Sequence, residues 1–125
     1  MHHLKLTRPL TFFDLETTGV DPDNDRIVQM ALIRVEPGGA RQTYETLVNP
    51  GRPIPPQATA VHGITDDDVK DQPLFAQVRG EVERMLAGSD LAGYNSIRFD
   101  APLLQAELHR AGSELDLRAA RHLDA

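Results

Sequence analysis

The run Thr11-Phe12-Phe13-Asp14-Leu15-Glu16-Thr17-Thr18-Gly19 limits what this chain can fold into more than any other segment. Leu10 to Leu15 is short, apolar and aromatic, which predicts a buried strand. Two acids nevertheless sit one residue apart at its end. In a strand, residues i and i+2 project to the same face, so Asp14 and Glu16 should emerge side by side. Carboxylates that close repel one another, and burial disfavours their charged forms. A divalent cation between them relieves both penalties. An isolated Asp-x-Glu pair is otherwise read as a strand end facing solvent. The Thr-Thr-Gly that follows, together with a second acidic junction downstream, favours the cation.

The rest of the chain predicts an α/β domain. Arg26 to Val35 reads as a second strand, Pro37-Gly38-Gly39 as a turn, and Arg41 to Val48 as an antiparallel third strand. The proline-rich stretch from Asn49 to Pro56 can only be an extended connection. A short helical segment follows over Gln57 to Val61. Thr65 should cap a turn through Asp66, Asp67 and Asp68, a solvated helix start rather than a metal site. Pro73 is placed in the first turn of a helix, with Leu74, Val78, Val82, Met85 and Leu86 on its core face and Gly88 at its end. Asp90 to Tyr94 reads as a fourth strand. Phe99 to Ala111 reads as a second long helix with Pro102 in its first turn, Leu103, Leu104 and Leu108 on one face, and Gly112 as its stop. Strands first, then helices alternating with strands, give a mixed sheet in one domain over residues 1–125.

Composition narrows the function. No apolar stretch approaches the roughly 20 residues of a membrane helix. The absence of cysteine excludes disulfides and thiolate metal sites, and a cytoplasmic location fits. A net charge of −6 argues against wrapping nucleic acid non-specifically, but not against acting on the end of a strand. Arg26, Arg52, Arg98 and Lys70 are candidates for phosphate contact, although scattered basic residues are usually surface charge. His2 and His3 are assigned no role.

Three segments carry the chemistry: the Asp14/Glu16 run, Val61-His62-Gly63-Ile64-Thr65, and Ala92-Gly93-Tyr94-Asn95-Ser96-Ile97-Arg98-Phe99-Asp100. With them the chain resembles the DnaQ-like, DEDD-type 3′–5′ exonucleases, which share the ribonuclease H-like fold. The first and third segments look like that family's first two motifs. The resemblance implies that Asp14, Glu16 and Asp100 are catalytic metal ligands for two ions, Mg²⁺ or Mn²⁺. It places Leu15, Thr17, Thr18, Gln57, His62 and Asn95 against the substrate. The implied activity is removal of nucleotides from a nucleic-acid 3′ end, DNA ahead of RNA, in proofreading, repair or RNA maturation. A polymerase subunit or a second copy of the chain is the implied partner. The family's third motif, a His or Tyr followed by a fourth acid, has no match before Ala125. Residues 1–125 are therefore expected to form a domain without its C-terminal helices. The competing expectation is an incomplete domain of the same fold that binds nucleic-acid ends or a polymerase without cutting.

Overall fold

Eight residues of extended chain carry the two acids. The computed structural model describes residues 7–93, 97–119 and 122–124. Strand β1 (Leu10–Thr17) pairs antiparallel with β2 (Ile27–Val35), which pairs antiparallel with β3 (Arg41–Leu47). On its other edge β1 runs parallel to β4 (Asp90–Gly93), and β4 runs parallel to β5 (His122–Asp124). The described sheet has the order β3-β2-β1-β4-β5. It is the mixed sheet expected from the sequence, with β5 as a further parallel strand at its edge.

Alternation along β1 separates two environments. Thr11, Phe13 and Leu15 are buried, whereas Asp14 is exposed and Glu16 half-buried. Phe13 and Leu15 join Met30 and Leu32 under two helices, α3 (Phe75–Leu86) and α4 (Ile97–Arg110). From these helices come Val78, Val82, Met85, Leu103, Leu104 and Leu108. Burying a side chain of this size stabilises by about 1.5–3 kcal/mol, so this face anchors the domain.

The other face begins at an irregularity. Glu16 pairs with Gln29 but Thr17 pairs with Ile27, so Val28 is an extra residue in β2. Ile27 turns into the helix-side core, and Val28 seeds a second cluster with Ile54, Ile64 and Val69. Leu47, directly opposite Gln29, packs on the same cluster, which places it on the Glu16 side of the sheet. There it supports α1 (Pro56–His62) and the single turn α2 (Asp66–Val69). Thr65 caps α2 as expected: Asp68 Oδ2 accepts from Thr65 N at 2.9 Å, and Thr65 Oγ1 accepts from Asp68 N at 3.3 Å.

Three expectations need correction. Pro73 lies before α3, because Pro73 O accepts from Asn49 N at 2.8 Å and Leu74 forms a bridge with Asn49. That pairing holds both residues extended, so the helix starts at Phe75. Leu74 is consequently 46% exposed rather than in the core. Helix α4 begins two residues early, so Pro102 falls in its second turn, where it removes one i→i−4 bond.

Candidate functional site

The candidate site is built on the end of β1. Asp14 and Glu16 project from the face opposite the core, paired across to Ala31 and Gln29. The same-face spacing read from the sequence therefore holds, with Cα atoms about 6.5–7 Å apart in an extended strand. Among the described residues neither carboxylate takes a hydrogen bond or an ion pair. Asp100 stands in the first turn of α4, as expected, where the helix dipole favours its charge. β4 leads toward it alongside β1, with Gly93 opposite Phe13. Among the described residues no three His, Asp or Glu side chains stand together closely enough to hold a metal ion. Asp14 and Glu16 are thus brought to one face, and among the described residues no three-acid group forms with Asp100. Asn95 and Tyr94 lie outside the described residues.

Immediately after Glu16 the backbone is held from several sides. Thr18 N donates to Arg26 O at 2.9 Å, and Arg26 N donates to Thr18 Oγ1 at 2.9 Å. Thr18 Oγ1 in turn donates to Asp25 Oδ1 at 2.9 Å, while Asp25 Oδ2 accepts from Asp21 N at 2.8 Å. Gly19 passes so close to this carboxylate that a Cβ there would lie 2.4 Å from Asp25 Oδ2. The Thr-Thr-Gly signature thus has a local cause: Thr18 ties the turn, and only glycine fits beneath Asp25.

His62 locks α1 to the strand. Its Nδ1 accepts from Ile64 N at 3.0 Å, so that nitrogen carries no proton. The proton sits on Nε2, which donates to Thr17 O at 3.1 Å. Gly63 makes this possible, since its left-handed φ of 77° turns the chain back so that Ile64 reaches the ring. Both ring nitrogens are spent within the protein. The expectation that His62 contacts a nucleotide is thereby narrowed to its ring carbons.

A cavity of about 270 Å³ opens between these elements. It is lined by Glu16, Thr17, Thr18, Gln57 and His62, five of the residues singled out in the sequence, together with Gly19, Ala58, Val20 and Val61. Leu15, expected at the substrate through its backbone, points its side chain into the helix-side core. Val20 and Val61 were missed; they are 70% and 84% exposed, unusual for valine and visible only once the fold brings them to one rim. A larger groove of about 800 Å³ behind α4 touches none of the expected site residues and is lined by Pro22, Pro102, His109 and Leu115 among others. The chemistry points to the smaller cavity.

Comparison with known proteins fits this arrangement. The exonuclease family model RNase_T matches residues 11–122. A DNA polymerase III subunit epsilon-like protein of Rhodobacter capsulatus is 42% identical over 112 residues, covering 86% of this chain and 16% of that protein. The DNA polymerase III subunit epsilon of Treponema pallidum is 35% identical over 98 residues, covering 78% of this chain and 45% of its own length. Escherichia coli exonuclease I, solved with a dT13 oligonucleotide, superposes with a TM-score of 0.77 at 22% identity over 93% of this chain and 27% of that one. The chain spans less than half the length of these curated relatives.

Proposed function

The chain belongs to the RNase_T exonuclease family, and from that premise we propose that it is a metal-dependent 3′–5′ exonuclease domain acting on DNA ends. One observation carries the reading. Two carboxylates that have no protein partner among the described residues leave β1 on the face where the 270 Å³ cavity opens. In this reading the terminal nucleotide enters that cavity. Val20 and Val61 give its base an apolar rim, Gln57 lies toward its sugar, and the Thr17–Thr18 backbone positions it. His62 shapes the wall and is not the base for the attacking water, because neither ring nitrogen is free to accept a proton without losing the bond to Ile64 or Thr17.

Hard carboxylate oxygens suit Mg²⁺ or Mn²⁺ rather than zinc. Asp14 and Glu16 fit as ligands, with Asp100 as the third acid brought in from α4. Divalent ions held there supply Lewis-acid stabilisation at the phosphate and lower the pKa of an attacking water. Asn95 belongs to the same proposal, as do a polymerase partner and a cytoplasmic location; no described helix is long and apolar enough to cross a membrane.

A second reading, a domain that binds nucleic-acid ends without cutting, is favoured by one observation: among the described residues the three-acid centre is not closed. Incubation with a 5′-labelled single strand and Mn²⁺ separates the two. Laddering from the 3′ end, abolished by Asp14→Ala, supports the exonuclease; retention of an intact strand supports the binder. Mn²⁺ should also raise the melting temperature, by the equivalent of about 2.7 kcal/mol at a hundredfold excess over its Kd. If Asp14→Ala gains as much from Mn²⁺ as the native chain does, the metal assignment is wrong.

A further inference from the structure

Arg26, Arg52 and Arg110 converge on one short stretch of backbone. Arg26 Nη1 and Arg52 Nη1 both donate to Asn24 O, at 2.9 and 2.7 Å. Arg110 Nη1 donates to Pro22 O at 3.0 Å, and its Nη2 meets Asp25 O at 3.1 Å. Arg26 Nη1 reaches that same Asp25 oxygen at 3.1 Å. Of the three, only Arg110 has an ion-pair partner among the described residues, Glu107 at 3.0 Å. The Asp25 carboxylate is occupied by Thr18 and Asp21. Burial and repulsion from Arg110 and Arg52 hold the Arg26 guanidinium below its usual range, with Glu107 and Asp25 offsetting this in part.

Three carbonyls do not require three cations. Like charges packed this closely cost free energy unless an anion joins them. A guanidinium has five donors, and Arg52, which is exposed, spends one of them on the protein. Two shallow depressions flank the cluster, one lined by Arg26, Arg110 and Asn49, the other by Arg52, Asn49 and Lys70. Thr18 of the candidate pocket is hydrogen-bonded to Arg26 through the backbone, so the cluster begins next to that pocket. Elsewhere a chain of net charge −6 repels a polyanion.

We propose that Arg26, Arg52 and Arg110 form a phosphate-binding surface for the strand upstream of the nucleotide held in the pocket. The inference rests on the exonuclease-domain reading for the direction of the strand, not for the presence of the site. Planar guanidiniums suit phosphate oxygens, and their contacts here carry no base preference.

The test is binding of fluorescein-labelled oligothymidylate to the native chain in EDTA, where no cutting occurs, between about 50 and 200 mM salt. Arg52→Ala should weaken binding severalfold at low salt and lower the slope of log K against log salt by about 0.7, the single-strand value for one phosphate. Arg52→Lys should keep most of the slope, and Arg118→Ala, which removes a side chain paired to Asp116, should leave it unchanged. An unchanged slope in Arg52→Ala, or an equal loss in Arg118→Ala, overturns the proposal. So does an Arg52→Ala effect of the same size on thymidine monophosphate, which has no upstream phosphate. A native chain that binds in this Arg52-dependent way yet never cuts in Mn²⁺ sinks the exonuclease and leaves the phosphate surface standing.

Discussion

Gly19→Ala tests whether the turn after the two acids is built as described. The added Cβ would sit 2.4 Å from Asp25 Oδ2, 2.7 Å from its Cγ and 2.9 Å from Oδ1. The carboxylate must move, and it is short and tethered at both oxygens, to Thr18 Oγ1 and to Asp21 N. Each hydrogen bond to a charged acceptor is worth about 1.5–3 kcal/mol, and Asp25 is half-exposed, so the lower end applies and the two together give about 3 kcal/mol. Replacing glycine also removes freedom from the unfolded chain, which returns about 0.5 kcal/mol. The net loss is about 2.5 kcal/mol, or roughly 10 °C in melting temperature for a domain of this size. Urea unfolding should show a lower midpoint with an unchanged slope. The decisive measurement is a double-mutant cycle. In an Asp25→Ala background the Cβ has room, so Gly19→Ala should become neutral or mildly stabilising, giving a coupling of about 2 kcal/mol or more. Additive losses in the two backgrounds would refute the contact, as would a single-mutant cost below about 0.5 kcal/mol.

His62→Ala removes the acceptor for Ile64 N and the donor to Thr17 O, and should cost about 1–2 kcal/mol in urea unfolding while weakening oligonucleotide binding; full stability would mean the ring is not the tie described. Glu107 is buried and accepts from Ile27 N at 3.0 Å, so Glu107→Ala should cost about 2–4 kcal/mol and Glu107→Gln clearly less, an ordering that thermal melts can reverse. Asp68 is held below the usual carboxylate range by the backbone and side chain of Thr65, and Asp21 by the Asn24 side chain and the Asp23 backbone. Depressed folded values mean that this stability is present above the unfolded value of about 3.9 and is lost as pH falls through the folded ones. Melting temperature should therefore drop below about pH 4, and less steeply for Asp68→Asn; superimposable curves would contradict the capping geometry.

Much of this architecture could be read from local pattern, and the exceptions share a cause. The Thr65–Asp68 box, the strand face of Asp14 and Glu16, and the place of Asp100 in a helix's first turn depend on spacing within a few residues. Pairings between distant segments leave no such trace. Pro73 and Leu74 look like a helix start until Asn49 holds them extended. Ile27 and Val28 look alike as adjacent apolar residues of one strand, yet the bulge sends them into different clusters. Val20 and Val61 gain meaning only when a loop and a short helix meet at one cavity. Arg110 carries no local signal in the sequence, because its convergence with Arg26 and Arg52 depends on where the end of α4 meets the loop over Pro22 to Asp25.

The segment following Glu16 is fixed more tightly than a loop needs for stability alone. Thr17 O is held by His62, Thr17 Oγ1 donates to Gly19 O at 2.6 Å, and Thr18 is bonded through both its N–H and its hydroxyl. The two acids therefore stand on a strand whose end cannot easily shift. Their mutual repulsion has to be relieved by side-chain rotation or by a cation, not by bending the backbone. In the proposed exonuclease, rigid placement of these two acids lowers the reorganisation needed when substrate arrives. The Glu107 and Arg110 contacts anchor the far end of α4 to the start of β2 and to the loop below the pocket.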